Sequence, residues 1–557
     1  MSRAEPVESE PRWCVPAVVL AVVVGLALMI ASAYSLSATY DEVAYLRIAA
    51  KWWRTGSQNE ITRMGSPLTF WKLQQGPVLS LLDLTGQGGL IDEPIERQAE
   101  LLPIVRMGAF WVWGVALGLT SWWSRVRYGP RAMAYSAWLF ALSPNLIGHG
   151  AILTMEMPII ASTVAVFFLF TRFIETGGRT LFFGAAACCG VAFSCKFTAV
   201  LIPGLLALVW WVDRSRSGRI RPLRAFVKVA SAMMLFGAVM ILADVIVTGG
   251  AVLTLSHEPG AVHPSVEDHT GGSPLFKRIL TRVMETPVPQ DWVGFATQIR
   301  HQRSGGPSYL LGERRLTGWW YYYFVALAVK VPLSFWLVVA ARTMAGRGEP
   351  NKEREWIFPL TIAVFLAITA AGSSRNYGVR YVLPLAPLAI IWVSSLAERG
   401  KGWRILVCIG LLGQGLAVAS VYPDELTYFN ALCGGRQGGR RVLADSNLDW
   451  GQGLKSLVRL QKSDPELCDV TLFYFGDTKP EYYGVIGTSY TIDAGSAHPG
   501  LPERFAAKTK YVAVSVSLVY GPWGPPGYFR GLENVRPYAM TDDTTIAVYR
   551  ASDFVLD

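Results

Sequence analysis

The chain alternates between long apolar runs and short loops rich in arginine and lysine. The first run, residues 14–33, has no charged side chain, and at about 1.5 Å per residue it is long enough to cross a hydrocarbon core of about 30 Å. Further runs lie at 101–123, 132–147, 151–171, 230–247, 319–341, 356–371, 382–396 and 405–421. The block 181–212 is interrupted at Ser194, Cys195 and Lys196 and reads as two spans, which brings the expected total to eleven. The most basic loop carries Arg214, Arg216, Arg219, Arg221, Arg224 and Lys228, so it faces the cytoplasm. An odd number of spans then puts the N-terminus inside and residues 422–557 outside.

Two shorter stretches suit a helix lying in the interface. Over 43–54 helical spacing gathers Tyr45, Ile48, Ala49 and Trp52 on one face and Arg47, Lys51 and Arg54 on the other. Residues 78–84 are apolar but too few to span. Beyond Pro423 the pattern changes to short alternating runs. Strands are expected at 441–444, 470–475, 511–516 and 545–549, with a helix over 448–461, which makes a small α/β domain. The predicted organisation is a transmembrane domain over 1–421, with outer loops 35–100 and 249–318, and an extracytoplasmic α/β domain over 422–557.

Composition agrees with this reading. Of 557 residues 52% are hydrophobic and 17% charged, and the mean hydropathy of +0.32 belongs to a polytopic membrane protein. The net charge of +10 is spread over loops and does not form a nucleic-acid patch. Ala31-Ser32-Ala33 resembles a signal-peptidase site, but the run before it is longer than a secretory core and other spans follow, so it reads as an anchor. Cys14, Cys188, Cys189, Cys195 and Cys408 lie in or beside spans, while Cys433 and Cys468 in the tail are open to pairing in an oxidising compartment.

Charge placed next to apolar sequence needs a reason, because a charged side chain at a span's centre costs about 2.5–3.5 kcal/mol. Asp41 and Glu42 follow the first span, and Arg63 and Lys72 lie in the loop after them. Glu156, Lys196, Arg375 and Arg380 sit at outer ends of later spans, so all of these fall on one side at similar depth. A carboxylate held there can take a proton from a water-borne acceptor while a lipid-borne donor approaches sideways. Structural readings stand beside this one: a helix cap for Asp41 and Glu42, an ion pair for Glu156, a snorkelling anchor for Arg380. Lys330, mid-span before Pro332, reaches either a cavity or carbonyls freed by the proline. His257, His263 and His269 among Glu258, Glu267 and Asp268 lack metal-ligand spacing and read as a polar loop.

Several of these motifs, in order, resemble the lipid-carrier-dependent glycosyltransferases of family 39, the protein O-mannosyltransferases and aminoarabinose transferases with the GT-C membrane fold. The resemblance is carried by Tyr40-Asp41-Glu42, by Ser143-Pro144 through His149-Gly150 to Thr154-Met155-Glu156-Met157-Pro158, and by Lys196. It continues through Tyr309-Leu310-Leu311-Gly312-Glu313, Gly318-Trp319-Trp320-Tyr321-Tyr322 and Gly378-Val379-Arg380-Tyr381-Val382-Leu383-Pro384. In the tail, Asp445-Ser446-Asn447-Leu448-Asp449-Trp450-Gly451-Gln452 resembles a segment of bacterial members. Relatives often have Asp where Glu156 stands, and a basic residue beside paired prolines where this chain has Arg63-Met64-Gly65-Ser66-Pro67.

The resemblance implies that Asp41 is the base, with Glu42 beside it and Glu156 as a further acidic site residue. Arg63, Lys72, Lys196 and Arg380 become the expected ligands of the donor phosphate. It implies an inverting hexosyltransferase of the inner membrane that uses a polyprenyl-phosphate sugar, a protein, lipid or glycan acceptor, and no metal, cofactor or nucleic acid. A transporter of lipid-linked sugar is the competing class, favoured by Lys330 but not by the absence of repeat symmetry. A sugar-binding receptor would explain the tail and leave Asp41, Glu156 and Lys196 without a role.

Overall fold

The computed structural model describes residues 11–57, 67, 71–216, 222–250, 252–254, 282, 285–346, 354–372, 374–493, 509–525, 527–529 and 531–553. Arg63 and the His257, His263 and His269 loop lie outside the described residues. The chain divides into two compact units, one of residues 1–47, 78–164 and 306–557 and one of residues 48–77 and 165–305.

Each expected span is helical over most of its length. α1 is Cys14–Ser35, α2 is Tyr40–Thr55, α3 is Trp71–Leu84, and α4 runs from Gln98 to Arg127. Among the described residues six helices are long and apolar enough to cross a membrane, and a seventh counts if a bent pair is one span. Arg179–Phe193, Ile357–Gly372 and Leu383–Glu398 are shorter apolar helices, so the expected eleven is not reached by length alone. The run 132–147 breaks into α5, Pro130–Ala141, and α6, Pro144–Gly150, because a proline favours a helix's first turn and cannot continue the preceding one. α7 is Glu156–Thr176. Ser194 and Lys196 do mark a break, between α8, Arg179–Phe193, and a helical stretch from Phe197 to Arg216.

In the second unit α8 packs on α9, Pro222–Val247, so closely at Gly190 that a Cβ there would meet the Met240 carbonyl. Phe170, Phe173, Phe182, Trp210 and Phe236 fill the space between these helices with edge-on and tilted rings.

In the first unit the run 319–341 is not one helix. α10, Tyr322–Lys330, and α11, Leu333–Met344, meet at 108° across Val331-Pro332. The carbonyls freed by the break are taken by Asn430, whose Nδ2 donates to Ala328 and Val331 and whose backbone N–H donates to Val329. Lys330 therefore needs other partners. Its Nζ donates to the carbonyls of Leu426 at 3.0 Å and Asn447 at 2.5 Å and lies 4.5 Å from the Phe429 ring centre. Those partners come from the tail rather than from the Pro332 break, and they remove the main support for a transport pathway.

The tail builds a five-stranded sheet from β1 (Val470–Phe475), β2 (Thr488–Ile492), β3 (Tyr511–Ser515), β4 (Ala539–Met540) and β5 (Ile546–Arg550). The order is β2-β1-β3-β5-β4, with β1 parallel to β2 and β3, and β5 antiparallel to β3 and β4. Helix α12, Leu454–Ser463, closes one face by burying Leu454 and Leu457 against Leu472, Ala513 and Val548. Residues 441–444, expected as a strand, form a turn instead, since the N–H groups of Arg441, Val442 and Leu443 bond back to Gly438 and Gly439. α12 starts at Leu454 rather than 448, because the backbone of 450–452 is bonded to the chain after α1. Cys433 and Cys468 are free thiols.

After the last long helix, Lys401–Ala419, Glu425 is fully buried, with the Ser32 side chain beside its carboxylate. Burial lifts its pKa to about 7 from 4.5. The folded protein thus keeps a proton that the unfolded chain gives up near pH 4.5, and stability falls as pH rises from there to about 7. Glu425→Gln should leave stability unchanged at pH 4 and raise it by up to about 3 kcal/mol above pH 7. Thermal unfolding in detergent at the two pH values checks this.

Candidate active site

The site starts where α1 ends. Arg106, within α4 and fully buried, uses all five of its N–H groups there. It donates to the carbonyls of Ala33 (2.7 Å), Leu36 (3.1 Å) and Ser37 (2.8 Å), which the helix end leaves without partners, and to both Glu42 oxygens at 2.8 and 2.7 Å. Glu42 also accepts the Thr39 N–H at 2.9 Å, as an N3 acid does in a capping box, and the Leu153 N–H at 2.6 Å. Burial disfavours its charge, but Arg106 and these donors outweigh that and lower its pKa. Glu42, expected beside the base as a catalytic group, is fully buried in this corner, and each of its carboxylate oxygens accepts two hydrogen bonds from the surrounding chain.

The chain from Leu36 to Tyr40 is held from the other side by the tail. Ser37 N–H donates to Gln452 O at 3.0 Å, Tyr40 N–H to Trp450 O at 2.7 Å, and Ala38 N–H to the Tyr483 hydroxyl at 2.9 Å. Leu36, Ile152, Leu426 and Trp450 form a small apolar cluster against which Tyr40 packs. The first turn of α2 is thus fixed at both faces, and the adjacent Asp41 side chain remains about one quarter exposed.

Asp41 Oδ2 accepts from Arg380 Nη1 at 3.1 Å. Arg380 follows a turn whose Tyr377 carbonyl accepts its Nε at 3.2 Å, and its guanidinium lies 4.2 Å from the Trp450 ring centre. Asp41, Glu156 and Asp445 all act on Arg380 electrostatically, as does the Tyr381 phenol. Glu156 is buried in the first turn of α7, where the helix dipole favours a negative charge. One turn along α2 from Asp41 is Tyr45, whose pKa is raised by burial and by the charges of Asp41 and Glu156. Burial raises that of Asp445 too, against the pull of Arg380.

The structure therefore gathers Asp41, Glu156 and Arg380 in the first unit. Lys72 and Lys196 belong to the second: Lys72 lies 6.0 Å from the Trp52 ring and in the field of Asp291, and Lys196 opens the turn Phe197–Val200. Sequence reasoning missed Arg106, although a lone arginine within span 101–123 was the signal it had used elsewhere. It also quoted Asp445 and Trp450 without giving them a place in the site.

No protein-family profile matches the chain, and no curated protein does. Solved structures do resemble it. ArnT from Cupriavidus metallidurans bound to undecaprenyl phosphate is similar at a TM-score of 0.47 and 12% identity, over 96% of this chain and 98% of that one. Its apo state gives 0.47 and 13%, over 98% and 99%. The oligosaccharyltransferase of Archaeoglobus fulgidus with Zn and sulfate gives 0.41 and 13%, over 90% of this chain and 68% of its own.

The two neighbouring acids should behave differently on substitution. Glu42→Ala leaves Arg106 buried without its counter-charge and should lower unfolding stability by about 3–5 kcal/mol. Asp41→Asn, at a part-exposed position, should stay within about 1 kcal/mol of wild type. Thermal melts of both variants in the same detergent test the distinction.

Proposed function

We propose that this chain is a membrane glycosyltransferase that moves a sugar from a polyprenyl-phosphate carrier to an acceptor hydroxyl on the extracytoplasmic side, with inversion, and with Asp41 as the base. The observation that carries this is the Asp41–Arg380 pair, a part-exposed carboxylate bonded at 3.1 Å to a guanidinium that also lies in the field of Glu156. A base and an anion-binding cation side by side are what the reaction needs. Asp41 accepts the proton of the acceptor hydroxyl as its oxygen attacks the anomeric carbon. The bond from that carbon to the phosphate oxygen breaks, and the phosphate leaves as a stabilised anion that needs neither protonation nor a metal. Arg380 meets the charge that builds on it, and attack opposite the leaving group inverts the centre.

Arg380 presents planar donors suited to a phosphate and cannot lose its charge, whereas a lysine there would act as a point charge. Glu156, buried in the first turn of α7, adds negative charge to the surroundings of Arg380. Glu42 is a positioning residue. Lys72, Lys196 and Arg63 remain proposed contacts to the donor phosphate. Residues 1–421 form the catalytic membrane domain on this reading and 422–557 the extracytoplasmic domain, with the N-terminus in the cytoplasm of an inner-membrane protein. A hexose, mannose among them, is the proposed class of sugar, and the acceptor is a protein, lipid or glycan of the cell envelope.

Purified protein given a radiolabelled polyprenyl-phosphate sugar and a cell-envelope extract should label an acceptor. Asp41→Asn should lower the initial rate by about 10²–10⁴-fold with folding unchanged, and Arg380→Ala should lower it too, with a weaker apparent affinity for donor. Full activity in Asp41→Asn would overturn the base assignment. Lipid translocation without transfer, measured in vesicles, would favour the transporter.

A further inference from the structure

α4 carries Arg106 near its start and Arg125 and Arg127 in its last turn, so about 30 Å of helix separates the Asp41 corner from the opposite membrane face. At that face a groove of about 420 Å³ runs between α5 and the last long helix, Lys401–Ala419. Tyr135 of α5 forms one wall. Lys401, Arg404, Ile405, Cys408, Ile409 and Leu412 form the other, and their helical spacing lines them along one stripe. The Tyr135 hydroxyl and the Cys408 thiol, 3.1 Å apart, tie the two walls together. The Trp13 ring stands edge-on to Tyr135, with 6.3 Å between ring centres.

The mouth of this groove is basic, and the acids near it are already committed. Arg131 pairs with Glu398 at 3.5 Å, and Glu355 takes Arg342 at 2.6 Å and Arg399 at 3.8 Å. Glu398 also accepts the N–H groups of Arg131 and Ala132 at the start of α5. Among the described residues no ion pair or hydrogen bond reaches the Lys401 ammonium or the Arg404 guanidinium. Past these two cations the wall is apolar, and Ile405, Ile409 and Leu412 are each more than half exposed. From Lys401 to Leu412 the helix rises about 16 Å, roughly half of a hydrocarbon core of about 30 Å. The groove therefore has the depth of one leaflet.

A cationic mouth that leads into an apolar wall is complementary to an anion with a hydrocarbon tail. A free phosphate would leave the wall unused, and a lipid with a neutral headgroup would leave two cations unanswered. We propose that the groove binds one anionic phospholipid of the leaflet opposite Asp41, its phosphodiester at Lys401 and Arg404 and an acyl chain along Ile405, Ile409 and Leu412. The excess of arginine and lysine in the loops of this face makes that leaflet the cytoplasmic one. Each lysine or arginine near such a surface adds to the attraction for anionic headgroups. A lipid seated here ties α5 to the last long helix, so its binding stabilises the folded chain. Neither Asp41 nor Arg380 takes part, and the inference does not depend on the transfer reaction.

The test uses full-length protein in detergent, titrated with phosphatidylglycerol or phosphatidylcholine and followed by native mass spectrometry and thermal unfolding. Wild-type protein should bind phosphatidylglycerol about thirtyfold more tightly, with a matching rise in melting temperature. Lys401→Gln combined with Arg404→Gln should erase the preference, and Lys401→Gln alone should reduce it about fivefold. Arg125→Gln removes a charge from the same face outside the groove and should leave the preference unchanged. Ile409→Trp, which fills the groove from a lipid-facing position, should weaken phosphatidylglycerol binding. Equal affinity for the two lipids in wild type, or an equal loss in Arg125→Gln and in the double variant, would overturn the proposal. So would a melting temperature raised as far by glycerol phosphate alone, which marks a headgroup site without a tail, or tighter binding of polyprenyl phosphate, which marks a carrier site.

Discussion

Arg106 brings a positive charge into the interior beside the end of a membrane helix, and five hydrogen bonds answer it. Three go to carbonyls that the helix leaves open, and two to the Glu42 carboxylate. A buried pair of this kind adds little net stability compared with apolar side chains of the same shape, but removing either partner is costly. Its value here is geometric: it fixes the angle between α1 and the first turn of α2. Asp41 sits in that turn, so the direction of the candidate base is inherited from a contact in which it takes no part.

The same economy governs Lys330 and Asn430. A bend of 108° in the middle of an apolar run exposes carbonyls, and a residue from the tail closes them. A buried ammonium at the bend is satisfied by two further carbonyls from the tail. Polar groups in low-dielectric surroundings have to be paired, and this chain pairs those of its helices with backbone far away in sequence. The tail is therefore bonded into the helical part at the break in the helix, at Ser37 and Tyr40, and at the Arg380 turn.

Arg380 is the point at which this scaffolding becomes chemistry. It faces Asp41 and the acids Glu156 and Asp445, with a tryptophan ring beneath it. Its ion pair is with Asp41, while Glu156 and Asp445 add negative charge around it.

Hydropathy alone determined much of this protein. The runs, their interruption at Ser194 to Lys196, the amphipathic helix after the first span and three of the tail strands were legible because burial in lipid or in a sheet dictates composition at fixed periods. The placing of Asp41, Glu156 and Arg380 at the ends of spans was legible for the same reason, since charge avoids the hydrocarbon. Tertiary structure decided what periodicity does not encode. It separated two adjacent acids into a scaffold residue, Glu42, and a part-exposed one, Asp41. It turned the expected strand at 441–444 and helix start at 448 into a turn and a strap, and brought Asp445 and Trp450 to Arg380. Those outcomes depend on which distant backbone group needs a partner, and only the folded chain brings the two together.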